Sequence, residues 1–514
     1  MHLDNLLEEI GSTGKFQVLL IVMVFIPKMG IGYNMMIMAF GGLEPEWWCA
    51  DTALEQLSRN SSSYKQCDAN INSSSSTCHR VYDNQLKTVV SEWDLVCERK
   101  WVTPIITSIQ MSGVLVGAII GGQVADAFGR KKTFYSTLLF HSIFSIGIGF
   151  ATSWQMFTAL RFVIGIAMGA YLVVCMFPVE FLSFRWRPVL SLIPFWATGV
   201  CFLSLSTYLL QDWSYVHIAV GVFTVPFLLG WFIIPESIRW LAVKGQIKEA
   251  ERVVEMVAKM NGRVKPSNAK ELIMKITEEE KSQKKGGKTY SYLDIYRGAK
   301  IAKHTISLHI VWWCISASYY GFGFGVGKFS GNYYLNQFLM NILEFPIFIP
   351  VIFSMNKFGR RATGLLMLGV STVCCVMVVI VQYTVEAVDR GTIITVLSLA
   401  TRILTGQAWA SIITLTNESY PTVIRNLGYG AANTSARLGS VVAPFVFALT
   451  SEEKIPYVIV IILQAVSFGI VYFLLPETLG SALEDLLPGQ RESNEIQRHS
   501  DPDDEKSALN RAEV

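Results

Sequence analysis

The sequence predicts an all-α membrane protein of twelve spanning helices arranged as two six-helix halves. Half of its 514 residues are hydrophobic (51%) and only 16% are charged. The charges cluster, which leaves apolar windows long enough to cross about 30 Å of hydrocarbon. One set of charged signatures also appears twice. The first copy is Gly121–Lys132 (GGQVADAFGRKK), Arg161, Glu180 and Pro235–Trp240 (PESIRW). The second is Met355–Arg361 (MNKFGRR), Arg402, Glu418 within Asn417–Arg425, and Pro476–Gly480 (PETLG). Arg130 to Arg360 is 230 residues, Arg161 to Arg402 is 241, Glu180 to Glu418 is 238 and Glu236 to Glu477 is 241. Such duplication implies a membrane carrier with its substrate site between the halves.

The spans fall near 16–40, 102–122, 133–152, 155–181, 189–210, 214–234, 304–326, 333–355, 362–382, 391–416, 427–449 and 455–475. Residues 1–15 are polar and amphipathic, without the apolar stretch of a secretory signal. The first half then runs 16–234 and the second 304–475. Short loops expected on the inner face hold Arg130, Lys131, Lys132, Arg185, Arg187, Lys357, Arg360 and Arg361, against Lys328, Arg390 and Lys454 outside. That bias puts both termini in the cytoplasm, as expected for a multi-pass plasma-membrane protein. A net charge of +3 reflects it and gives no reason to expect a nucleic-acid partner.

Two polar insertions interrupt the spans. The extracellular one, 41–101, contains Cys49, Cys67, Cys78 and Cys97, with sequons at Asn60 and Asn72. Four cysteines beside glycan acceptors imply an oxidised, glycosylated cap with two disulfides, in any of three pairings. The cytoplasmic insertion, 235–303, is charged. Ile247, Ala250, Val254, Val257 and Met260 form an apolar stripe at helical spacing, and Asn268 with Glu271 reads as the cap of a second helix. The tail, 476–514, turns polar and acidic and is expected to be largely disordered.

A carrier opens alternately to each side, so contacts at its inner face must form and release. Charges at helix ends suit this, because they are solvated when apart and make charge-assisted hydrogen bonds when together. Asp126, Arg130, Arg161, Glu180 and Glu236, with Arg360, Arg402, Glu418 and Glu477, are therefore expected to form two inner-gate clusters joining the halves. Ionisable groups deep in spans cost roughly 2.5–3.5 kcal/mol each at mid-membrane and mark substrate paths. Lys28, Glu344 and Arg437 lie midway along their spans. Two cations against one anion favour an anion, or a zwitterion whose carboxylate meets Arg437 and whose cation meets Glu344. The structural alternative is an internal pair of Glu344 with Arg437 or Lys28. Nothing suggests an enzyme, a metal or a cofactor: the seven histidines are scattered, and neither metal spacing of cysteines nor a nucleotide-binding loop occurs.

The repeated loop motifs and the PES and PETLG ends resemble the major facilitator superfamily, and sugar porters share much of that pattern. IGSTGKFQ near the amino end, the cysteine-bearing loop, Ser91–Trp101 (SEWDLVCERKW) and ESYPTVIRNLG are similar to the organic cation/anion/carnitine transporter family (solute carrier family 22). The resemblance covers about 1–485 and implies a major facilitator fold. Asn356 departs from it, standing where the first half has Asp126, which implies an asymmetric gate. The position matching Arg437 is acidic in the cation branch and basic in the anion and carnitine branches. Glu344 instead resembles the cation and carnitine branches. Family positions matching Asn34, Trp196, Trp313, Tyr319, Tyr320, Phe324 and Trp409 line the central cavity, and aromatic walls tolerate varied substrates. The resulting expectation is a polyspecific carrier of small organic ions, anionic or zwitterionic such as carnitine, with coupling ion or exchange anion open. Alternatives are an organic cation carrier, a sugar porter or a receptor that no longer transports.

Overall fold

The computed structural model describes residues 2–50, 64–65, 67, 79–83, 86–183, 186, 195–286, 292–385, 387–421, 424–448 and 452–480. A short helix, α1 (His2–Glu9), precedes six long ones. These are α2 (Lys15–Gly41), α3 (Val102–Phe128), α4 (Arg130–Ile148), α5 (Trp154–Val174), α6 (Phe195–Leu210) and α7 (Trp213–Ile233). Three polar helices follow: α8 (Ile238–Val243), α9 (Ile247–Met260) and α10 (Ala269–Gly286). The second half comprises α11 (Ala299–Gly325), α12 (Tyr333–Phe358), α13 (Arg360–Thr384), α14 (Ala387–Ser419), α15 (Arg425–Val446) and α16 (Ile455–Leu474). Among the described residues, eight of these long helices are apolar and long enough to cross a membrane by composition alone. Of the other four, α6 is apolar but short. The remaining three, α4, α11 and α15, carry basic and polar residues among their apolar ones.

Small residues set the packing of the first half. Gly113, Gly117 and Gly121 of α3 face the backbone of α5 at Phe162, Ile166 and Ala170, while Gly165 and Gly169 return the contact. Any Cβ at these places would meet main-chain atoms, so the two helices approach as small-residue seams allow. Prolines break other helices. Pro27 follows a turn at Ile26 in α2, and Pro346 removes the N–H that would bond the carbonyl of Ile342, so α12 breaks at Leu343. Glu344 is the first residue beyond that break.

A two-stranded antiparallel sheet, β1 (Trp47–Ala50) with β2 (His79–Tyr82), caps one face. Arg80 pairs with Asp94 and lies 5.7 Å from the Trp47 ring, and the Tyr82 hydroxyl donates to Asp94 at 2.6 Å. Cys67 and Cys97 form a disulfide, and Cys49 is disulfide-bonded as well. Cys78 and the sequons at Asn60 and Asn72 lie outside the described residues.

The opposite, basal face holds the polar helices. The apolar stripe of α9 is buried at Ala250, Val254 and Val257, as its spacing predicts. Leu6, Leu7 and Ile10 are buried too, where α1 packs on α10. Asn261, at the end of α9, fastens this unit to α2. Its amide oxygen accepts from Phe16 N–H at 3.0 Å, and its nitrogen donates to the carbonyls of Ile10 and Gly11 at 3.0 and 2.9 Å. Asn261→Ala removes these bonds together with the one its nitrogen donates to Gln17 at 3.1 Å, and strands backbone groups, costing about 1–3 kcal/mol. Melting of the purified protein is expected to fall by a few degrees, and an unchanged melting curve would show the latch to be dispensable.

Contacts between the halves gather toward the cap. Ser108 of α3 donates to the Val441 carbonyl of α15 at 2.7 Å. Phe40 meets Tyr333 at 6.4 Å and Tyr208 meets Tyr334 at 5.5 Å between ring centroids.

Candidate functional site

The repeated signatures build two matching clusters on the basal face. Gly129 and Gly359 turn the chain between helices at φ +114° and +103°, where a side chain would be strained and would also collide with Glu236 or Glu477. Each glutamate then lies at the start of a helix. Glu236 accepts the N–H groups of Arg130 and Lys131 at 2.9 and 3.1 Å, and Glu477 those of Arg360, Arg361 and Ala362 at 2.9, 3.1 and 3.2 Å. A carboxylate there satisfies open N–H groups and complements the helix dipole. Burial pushes the Glu477 carboxyl up, but the N–H groups of Leu479, Ala362, Thr478 and Arg360 outweigh it and hold the group below its ordinary range.

The remaining charges repeat as well. Arg130 pairs with Glu180 at 3.6 Å and Arg360 with Glu418 at 3.1 Å, while Ser237 and Thr478 donate their hydroxyls to those two glutamates. Asp126 adds a contact to Arg130 at 2.8 Å. With Asn356 at the matching place, Arg360 instead donates to the Met355 carbonyl at 3.2 Å, so the two clusters are asymmetric. They do not join the halves as the sequence suggested. Each of these pairs stays within one half, and the Asp126 side chain is 69% exposed.

Arg161 and Arg402 are not in these clusters, contrary to the sequence expectation. Arg161 comes seven residues after the cap-side start of α5 and is fully buried. It donates to Gln110 and to His217 Nε2, the latter at 2.9 Å. His217 Nδ1 contacts the Trp213 carbonyl at 2.7 Å, which can only accept, so the proton sits on Nδ1 and Nε2 accepts from the arginine. Gln110 continues to the Asn34 carbonyl at 3.1 Å. The Asn34 amide donates to Ser145 at 2.8 Å and reaches His141 at 3.3 Å. Asn34 is 0% exposed, so it belongs to this internal network and presents no surface to a ligand, correcting its place among the cavity residues.

Arg402 lies in the middle of α14, 1% exposed, and pairs with Glu344. It also donates to Asn341 at 3.4 Å and covers the Tyr319 ring, 3.5 Å from its centroid. The Tyr319 hydroxyl donates to Glu344 at 3.3 Å. The internal partner of Glu344 is therefore Arg402, neither Arg437 nor Lys28. Arg161 with Gln110 and Arg402 with Asn341 are counterparts in the duplication, but among the described residues an acid accompanies only the second arginine.

Arg437 is half-buried beside the Tyr320 hydroxyl and Tyr429. It makes no ion pair among the described residues, and its Nε–H is buried without an acceptor. Nearby, the Trp409 indole N–H is likewise buried without an acceptor. Trp409 packs with Tyr319 at 5.5 Å and Tyr320 at 6.1 Å, and Tyr320 stacks with Phe324 at 6.4 Å. These aromatic side chains also touch the core of the first half, so they stand at the seam between halves. Trp312, which the sequence reading missed, joins them through Trp409 at 6.0 Å, and its N–H is held by Thr416 at 2.9 Å. Trp313 is half-buried on the next helical position, and Trp196 is half-buried in α6 where Gly32 crosses it closely. Lys28 is half-buried, 5.8 Å from the Phe25 ring, and makes no ion pair among the described residues. At 1.5 Å per residue, Lys28, Arg437 and Glu344 all lie about 18–21 Å from the basal ends of their helices. Among the described residues, Lys28 and Arg437 thus share one level with Glu344, which Arg402 already holds.

Residues 19–487 match a family described as sugar (and other) transporter. Solute carrier family 22 member 16 of Xenopus laevis is 32% identical over 435 residues, spanning 83% of this chain and 76% of that protein. Solute carrier family 22 member 4 of Mus musculus is 32% identical over 412 residues, 78% of this chain and 72% of the other. The organic cation/carnitine transporter 2 of Homo sapiens is 31% identical over 413 residues, 79% and 72% respectively. Among solved structures, the inward-open xylose transporter of E. coli superposes with a TM-score of 0.65 at 15% identity, covering 91% of this chain and 99% of that one. That likeness concerns the fold.

Proposed function

Since the chain belongs to solute carrier family 22 of the major facilitator superfamily, a family of multi-pass membrane transporters and not enzymes, we propose that it carries organic anions or carboxylate-bearing zwitterions such as carnitine. The observation that carries this reading is the pair of acceptor-less N–H donors, on Arg437 and Trp409, flanking Tyr320. A buried donor without an acceptor loses its hydration and gains nothing in return, so the site favours a ligand that brings acceptors. A guanidinium suits a carboxylate in two-point geometry. The surplus of cations over Glu344 favours a negative ligand, and the tyrosine and tryptophan faces accommodate an apolar or cationic remainder.

The carrier works by rocking of its halves at the plasma membrane, with the two-stranded cap outside and both termini in the cytoplasm. The two basal clusters are then the hinged inner gate, here held within their own halves while the cap side is closed. An organic cation carrier is the second reading, favoured by Glu344 beside Tyr319 and by the likeness to the human organic cation/carnitine transporter 2. A sugar porter has no call for this many charges.

Uptake of a labelled aromatic monocarboxylate, of L-carnitine and of tetraethylammonium into cells expressing the chain tests the assignment. Saturable uptake of the first two, above that of untransfected cells, is expected. Uptake of tetraethylammonium alone would transfer the assignment to organic cations.

A further inference from the structure

Between α6 of the first half and the cap-side part of α12 of the second lies a groove of about 540 Å³. Met29 of α2 contributes to its lining, Phe202 and Leu205 form one wall, and Leu335 and Phe338 form the other. Tyr208 and Tyr334, also in the lining, meet edge to face across the seam at 5.5 Å.

The chemistry of the lining selects the guest. Three of its polar groups are already engaged: Ser204 donates to the Val200 carbonyl at 3.1 Å, Asn332 accepts from Leu335 N–H at 3.1 Å, and the Cys201 thiol points to the Phe338 carbonyl at 3.9 Å. These groups have little left to offer a polar or charged ligand, so what the groove rewards is apolar area. The rim is open, with Leu205 53%, Leu335 54% and Phe338 39% exposed. One turn beyond Leu205, Leu209 is 67% exposed, so the rim runs into the apolar belt that α6 turns toward the bilayer. What covers that belt is lipid.

We propose that this groove is a lipid site that takes one acyl chain of a phospholipid from the cap-side leaflet. The two walls belong to different halves, so rocking that opens the cap side parts them and dismantles the site. A bound chain therefore favours the cap-closed arrangement by its differential affinity for the two states, and the bilayer acts on the transport cycle through it.

The test is native mass spectrometry of the full chain purified in mild detergent with added palmitoyl-oleoyl phosphatidylcholine. The wild type is expected to retain one lipid. Leu205→Trp, which fills the groove, is expected to weaken retention at least tenfold, whereas Leu209→Trp, on the open belt, leaves it unchanged. Should Leu205→Trp not fold, Phe338→Ser, which adds an unpaired hydroxyl to the wall, carries the same comparison. Equal retention by the wild type and the groove variants would overturn the proposal, as would no retention by the wild type. Displacement of the lipid by transported carboxylates in order of alkyl length would give the groove to the substrate's tail and also overturn it.

Discussion

Arg437→Asp is expected to lower uptake of an organic monocarboxylate at least tenfold while the protein still reaches the membrane. Arg437 makes no ion pair among the described residues, so its removal strands no protein carboxylate and gives up only its contact with the Tyr320 hydroxyl. The loss therefore falls on the ligand: a charge-assisted contact contributes about 1.5–3 kcal/mol, which is one to two powers of ten in affinity. The aspartate also repels the substrate carboxylate. Arg437→Lys keeps the charge but not the planar fork, and is expected to recover part of the uptake with a raised KM. Uptake of tetraethylammonium should rise in Arg437→Asp if the cavity discriminates by charge. Carboxylate uptake indifferent to both changes would remove Arg437 from the site.

Glu344→Gln is expected to damage the protein more broadly. It leaves Arg402, 1% exposed, as an uncompensated buried cation. Breaking a buried pair on one side costs about 3–5 kcal/mol, whereas replacing both partners by apolar residues is often neutral. Melting of Glu344→Gln should therefore drop clearly, and the double change Glu344→Leu with Arg402→Met should recover most of it. Transport should not recover in the double variant, because the wall beneath Tyr319 has lost its charges. A fully stable Glu344→Gln would mean that the pair contributes little to folding.

These two residues also mark where sequence reasoning worked and where it stopped. The duplication made the basal clusters legible: Arg130 with Glu180 and Glu236, and Arg360 with Glu418 and Glu477, are contacts implied by signatures repeating at near-constant offsets. Repetition says that two residues are equivalent and leaves their depth open, so it does not separate Arg161 and Arg402, both buried within their helices, from the basal clusters. A signal was present, since Arg161 stands only a few residues into a span that begins on the cap side. With Arg402 misplaced, Glu344 lacked its partner and the surplus of positive charge was undercounted. Trp312 and Trp313 are adjacent aromatic residues in a helix apolar on most sides, and periodicity alone does not settle which one turns to the seam. Resemblance alone assigns Asn34 to the cavity. Its true surroundings depend on Ser145 and His141, more than 100 residues away.

The Asn261 latch has a mechanical consequence. Through it, and through Glu236 at the foot of α4, the basal helices are fastened to the first half. They form a lever arm: a small tilt of the membrane helices becomes a larger sweep at the far end of α10. A fluorophore on α9 paired with one on the basal end of α13 would therefore read the working stroke of the carrier from outside the bilayer, without a label anywhere near the substrate.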